Sequence, residues 1–178
     1  MAIPPASPNK NLDEDLSSSR LTRYNNIQSE VKTYLHDILS PRYPDLFNHK
    51  FSTSSQSYES IDLCELLKDG EILCRLGQLI PVANNPTTKF KNSKMAFMQM
   101  ENISFFLKLC EVIKLPHDEI FQTVDLFESK DPYQICITLM SFSRIAHDLD
   151  SQVFFKVIGP KIVKVKPTVP TKPYKLRS

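Results

Sequence analysis

Glycine is nearly missing from these 178 residues: only Gly70, Gly77 and Gly159 occur. A chain with so few residues at ease at positive φ has no Gly-rich phosphate loop and few of the tight turns that β-hairpins and sandwiches use. Tryptophan is absent, so the core has to be built from 11 Phe, 6 Tyr and the aliphatic residues. No run of about 18 apolar residues exists to span a bilayer. The Pro-containing start, with Pro4, Pro5 and Pro8, lacks the apolar stretch of a signal peptide. These absences predict a soluble, cytoplasmic protein with no membrane insertion. Cys64, Cys74, Cys110 and Cys136 lie far apart, without a C-x-x-C pair or a histidine cluster. A zinc site therefore has little support, and the four read as small buried hydrophobes in a reducing compartment.

Catalytic machinery is also missing. There is no G-x-S-x-G element, and His36, His49, His117 and His147 are scattered singly. His117-Asp118-Glu119 follows Pro116 and reads as a helix start, where acidic residues favour the helix dipole. Asp13-Glu14-Asp15 has neither the spaced oxygen ligands nor the glycine of a calcium loop. It reads as a solvated acidic turn or helix start. The expectation is a binding protein, not an enzyme, with no cofactor and no metal.

Acidic residues are missing from one region altogether. Between Ser151 and Ser178 stand Lys156, Lys161, Lys164, Lys166, Lys172, Lys175 and Arg177, with no Asp or Glu. Of 22 basic and 20 acidic residues, 15 basic and all 20 acidic ones precede Ser151, so a segment of net −5 is joined to one of +7. The total of only +2 gives no reason to expect a nucleic-acid partner.

What is present is helical periodicity. Ile27, Val31, Tyr34, Leu35, Ile38 and Leu39 make an apolar stripe between Asn26 and Ser40 that Pro41 ends. Residues 41–58 carry two prolines and a polar run and read as a long surface loop. Ile61 to Leu67 predicts a short helix stopped by Gly70, and Ile72, Leu73, Leu76, Leu79 and Ile80 predict the next. Residues 81–94 read as irregular surface bearing Lys89, Lys91 and Lys94. Met100, Ile103, Phe106, Leu107, Cys110 and Ile113 predict a long helix ended by Pro116. The spacing of Met95, Met98 and Met100 beside Phe97 favours core packing over an adaptable apolar binding surface. A short amphipathic segment covers 120–128. Asp131-Pro132-Tyr133-Gln134 then opens the last helix, with Asp131 as N-cap, Pro132 in the first turn and Gln134 reaching back as in a capping box. Val153–Val157 and Ile162–Val165 are flanked by Pro160 and Pro167 and read as extended tail. The fold class is all-α: four main helices and two or three short ones in a compact domain over 20–150. A flexible N-terminal segment over 1–19 and a basic, Pro-containing tail over 151–178 flank it.

Several of these stretches resemble a known family. Leu66-Leu67-Lys68-Asp69-Gly70 followed by Ile72, Leu73, Cys74, Arg75 and Leu76 is similar to the W-L-K-D-G-x-x-L-C-x-L element of calponin-homology domains. Phe97 to Ile103 with Phe106-Leu107-Lys108 resembles that family's next helix. Phe121-Gln122-Thr123-Val124-Asp125-Leu126-Phe127-Glu128 with Lys130-Asp131 resembles its most distinctive signature. Thr138-Leu139-Met140 and Arg144 complete the likeness over about 24–148, which is strongest to the single-domain calponin and transgelin branch. The flanks Leu12-Asp13-Glu14-Asp15-Leu16 and Ile158-Gly159-Pro160-Lys161 are similar to those of small fungal transgelins. Tyr34 and Leu66 stand where the family usually has tryptophan, and no Gly-containing calponin-like repeat follows the domain.

The resemblance implies a calponin-homology fold, no enzymatic activity, and F-actin as partner, with filament crosslinking or stabilisation in the actin cytoskeleton. It makes Lys156, Lys161, Lys164, Lys166, Lys172, Lys175 and Arg177 the expected actin-binding residues, since a Pro-spaced cationic tail suits an acidic filament surface. Lys89, Lys91 and Lys94 are secondary actin contacts on the same view. The alternative is a signalling or cytokinesis adaptor, such as the N-terminal part of an IQGAP-type scaffold, binding another protein through a helical face.

Overall fold

A computed structural model of the chain describes residues 8–51 and 57–160. Seven α-helices and three 3₁₀ turns follow one another, with no strand among the described residues. The helices are α1 (Pro8–Leu39), α2 (Pro44–Phe51), α3 (Leu63–Leu67), α4 (Glu71–Gln78), α5 (Ala96–Val112), α6 (Thr123–Phe127) and α7 (Pro132–Leu149). Helix α1 lies chiefly on α7 and also touches α4, α4 packs on α5, and α6 bridges α5 and α7. The predicted stripe of α1 is its buried face: Val31, Tyr34, Leu35, Ile38 and Leu39 are all buried. Phe106, Phe121, Phe142 and Phe154 run through the core as a chain of rings with centroids 5.4–6.4 Å apart. Tyr34 and Leu66 are both buried, so these smaller side chains pack where tryptophan was expected.

Local signals act as the residue types dictate. Gly70 sits at φ 76° between α3 and α4, and a Cβ there would lie 2.7 Å from Asn102 Cβ and 2.9 Å from the Ile103 nitrogen. Only glycine lets the α3–α4 junction approach α5 this closely. Asp131 caps α7 by accepting a hydrogen bond from Gln134 N, with Pro132 in the first turn. The expected capping box is not completed there. The Gln134 side chain instead donates to Asp118 O at 3.1 Å and accepts from Arg20 Nη2 at 3.1 Å. A reaching-back carboxylate occurs at α6, where Asp125 Oδ2 accepts from Gln122 N at 2.7 Å.

Four other expectations are corrected. Helix α1 begins at Pro8, well before Asn26, so residues 12–19 are helical. No glycine, and no proline after Pro8, interrupts the stretch to Ser40, and a helix whose second half is anchored propagates backward at little cost. Part of the 41–58 loop is helix α2, held because Leu46 and Phe47 are buried against the core. Leu46 and Phe47 are adjacent, so the pair by itself shows no helical period. Residues 151–160 are not a free tail: Phe154 and Ile158 are fully buried, and Ile158 N donates to Ser143 Oγ of α7 at 3.1 Å. Phe155 and Val157 point outward between them, an alternation that resembles a strand in sequence but here is a strap across the helices. Finally, Met95 and Phe97 are not core residues but are strongly exposed.

Candidate functional site

The basic residues singled out in the sequence fall into three groups. Lys156 lies on the strap, where its Nζ is 3.3 Å from Asp37 Oδ2 of α1. It is thus engaged by the domain and stands apart from the other tail cations. Lys161, Lys164, Lys166, Lys172, Lys175 and Arg177 lie outside the described residues. Lys89, Lys91 and Lys94 are brought together on the segment between the 3₁₀ turn Pro86–Lys89 and α5, and all three are exposed.

That segment is irregular but firmly held. Asn102, buried on α5, accepts from Lys91 N at 3.1 Å and donates to Lys91 O at 2.8 Å, and its amide also donates to Asp69 O at 3.3 Å. At the other end, buried Asn85 accepts from Thr87 N and Thr87 Oγ1 at 3.0 and 2.6 Å. The same side chain donates to Gly77 O and Ile80 O at 2.8 and 3.2 Å. Two buried amides thus hold backbone groups at both ends of the segment. Arg75 of α4 lies between the rings of Tyr43 and Phe90, 5.5 and 5.2 Å from their centroids, which pins the segment from beneath. The lysines are carried on a fixed platform.

Beside this platform an open cavity of about 600 Å³ is lined by Arg42, His49, Lys50, Asp69, Arg75 and Lys94, among others. On its floor Lys50 Nζ is 2.7 Å from Asp69 Oδ2 and 3.5 Å from Glu71 Oε2, so both carboxylates are matched by a cation. The cysteines offer no nucleophile. Burial pushes the Cys64 thiol up to about 11 and the thiols of Cys74 and Cys136 up to about 12, and it raises Cys110 as well. His147 is occupied at the end of α7, with Nδ1 2.7 Å from Phe154 O. Among the described residues, no group of three or more His, Cys, Asp or Glu side chains is placed to hold a metal ion. No described helix is long and apolar enough to cross a membrane. What the surface offers is therefore fixed positive charge with apolar residues beside it.

The sequence had assigned Met95 and Phe97 to the core and passed over Asn102. An amide standing among Ile103, Phe105 and Phe106 was the available signal for the latter, because a polar residue on a buried helical face must have partners.

A family model described as the calponin homology (CH) domain matches residues 47–148. A transgelin of Saccharomyces cerevisiae is 43% identical over 114 residues, covering 62% of this chain and 56% of the relative. A transgelin of Schizosaccharomyces pombe is 38% identical over 113 residues, covering 61% of each. The alignments thus span less than two thirds of either relative. The match to the family model takes in more than half of the chain, and the helices fall where its motifs were read. This chain belongs to the calponin homology domain family.

Proposed function

We propose that the chain binds actin filaments and crosslinks or stabilises them in the cytoplasm, with its basic C-terminal residues supplying electrostatic affinity. The observation that carries this reading is the charge division. Up to Asp150 the chain has a net charge of −5, and every charged residue after it is basic. The strap sharpens the division. Lys156 is already paired with Asp37, so six cations beyond Pro160 are the ones left to meet an acidic filament. Family membership supports the same partner. The strap also fixes the point from which those cations start, because Ile158 is anchored in the core only two residues before Pro160. Orientation then comes from the helical domain and affinity from the cations.

Co-sedimentation with filaments across a salt series tests the proposal. Exposed charge contacts are screened over about 8 Å at physiological ionic strength, so pelleting should weaken steeply as salt rises. No pelleting even at low salt would overturn the proposal and favour the adaptor reading.

A further inference from the structure

We propose that the exposed stretch from Lys89 to Phe97 is a docking surface for the N-terminal part of α1 of a second copy of this chain. Met95 is 68% and Phe97 69% exposed, the most of any large apolar residue described. Lys89, Lys91 and Lys94 are exposed beside them and have no ion-pair partner among the described residues. A purely electrostatic contact has no use for two large apolar side chains in water. A partner that is acidic and apolar at once matches both features.

The chain itself carries such a segment. Leu12 and Leu16 lie one turn apart on α1, 59% and 55% exposed, and Asp13, Glu14 and Asp15 stand between them. This part of the helix is exposed up to Arg20, which makes the first hydrogen bond from α1 to another element, to Asp131 at 2.8 Å. Both surfaces are exposed within one copy, and α1 continues unbroken to Leu39, so its N-terminal part does not fold back to cover Met95 and Phe97. Pairing the acidic segment with its own counterpart would set three carboxylates against three. Pairing it with the lysine stretch sets Asp13 and Asp15, which flank the Leu12–Leu16 face of the helix, against cations while Leu12 and Leu16 cover apolar surface. Each copy offers one helix and one receiving surface, so the contact is heterologous and links copies head to tail. An assembly of this kind would carry two or more cationic tails and could bridge filaments. That last consequence rests on the proposed filament binding, whereas the self-association does not.

The test is sedimentation velocity of the full chain without actin, at low ionic strength and over a range of concentrations. The weight-average mass should rise with concentration and return toward the monomer as salt is added. Two triple variants separate the charge complementarity from other causes: Lys89→Glu/Lys91→Glu/Lys94→Glu, and Asp13→Lys/Glu14→Lys/Asp15→Lys. Each presents like charges on both surfaces, so each alone should associate about tenfold or more weakly than the native chain. Mixed in equal amounts, they should associate again, because each then meets a complementary partner. Phe97→Ser, which removes the apolar ring without adding a charge, should also weaken association. All seven substituted side chains are exposed, and an unchanged helical circular dichroism spectrum verifies the fold of each variant. A native chain that stays monomeric at every concentration in low salt overturns the proposal. So does a triple variant that associates alone as strongly as the native chain, or a mixture that fails to associate.

Discussion

Asn102 holds both backbone polar groups of Lys91, accepting from its N–H at 3.1 Å and donating to its carbonyl at 2.8 Å. The same amide reaches Asp69 O at 3.3 Å, one residue before Gly70, whose missing Cβ leaves room for the Asn102 side chain. One buried side chain thereby joins the lysine stretch, the α3–α4 junction and α5. The motif glycine and the basic stretch are parts of one device, although 21 positions separate Gly70 from Lys91.

Asn102→Ala should therefore cost about 2–4 kcal/mol, the sum of three net hydrogen bonds of about 1 kcal/mol each with a small void. Urea denaturation measures it. Hydrogen exchange should show the amide of Lys91 losing protection more than amides in α7. A loss confined to global stability, with Lys91 unaffected relative to α7, would contradict the anchoring role.

Two buried tyrosines should respond oppositely to loss of the hydroxyl. Tyr34 is fully buried and its hydroxyl has no hydrogen-bond partner among the described residues, so Tyr34→Phe should be neutral or stabilising by about 1 kcal/mol. Tyr24 donates to Asp62 Oδ1 at 2.8 Å and accepts from Cys64 N at 3.4 Å, at the cap of α3. Tyr24→Phe leaves that cap weaker and should cost about 1–2 kcal/mol. Paired thermal or urea unfolding curves decide it, and equal shifts for the two variants would contradict the assignment.

The elements that sequence made legible were those whose signal is local. Asp131-Pro132 opened α7 and Gly70 closed α3, because capping and left-handed backbone depend on one or two residue types. The helices with a full apolar stripe, α5 and the second half of α1, were equally visible. Three features were not, each for a physical reason. Residues 11–19 of α1 are all exposed, so periodicity had nothing to report there, and their helicity is inherited from the anchored half. Helix α2 is short and carries few buried residues. The strap buries Phe154 and Ile158 but exposes Phe155 and Val157, which imitates a strand without a pairing partner. As for the site, positive charge was readable along the chain, but the apolar residues beside Lys94 were not. Helical spacing cannot say that α5 starts at the domain's edge, where its first turn meets solvent.

Alkaline pH should destabilise the domain through its thiols. Burial raises Cys64 from 9.0 to about 11 and Cys74 and Cys136 from 9.0 to about 12 in the folded chain. Above about pH 9 the unfolded chain releases protons that the folded chain still holds, so stability falls as pH rises. The contribution is complete below the ordinary thiol value and lost as pH climbs through 11 to 12. Urea midpoints measured from pH 8 upward should decline, and the decline should be shallower in Cys136→Ala at matched starting stability. Thiol labelling of the native chain should track unfolding and not thiolate formation. Rapid labelling of all four cysteines in the folded state at pH 8 would show that the burial is misread.

Where the chain is cut should decide whether a truncation tests filament binding or merely folding. Ending it at Asp150 removes every tail cation, yet it also removes Phe154 and Ile158 from the core and the Phe154 carbonyl from His147. Large-to-small replacement of a buried Phe or Ile costs about 2–5 kcal/mol, a large part of a domain stability of about 5–15 kcal/mol. That truncation should unfold at much lower denaturant, so weak pelleting by it would say little about charge. Ending the chain after Pro160 keeps both anchors and the Lys156–Asp37 pair while removing six cations. It should keep its unfolding midpoint within about 1 kcal/mol of the full chain, lose most filament affinity at physiological salt, and show a much flatter salt dependence. Lys156→Ala in the full chain should change stability by no more than about 1 kcal/mol, because its ion pair with Asp37 is part-exposed, and should leave the salt dependence nearly intact. If the chain ending at Pro160 pellets as well as the full chain, the cations beyond the strap do not supply the affinity. Filament binding would then have to come from the helical surface itself.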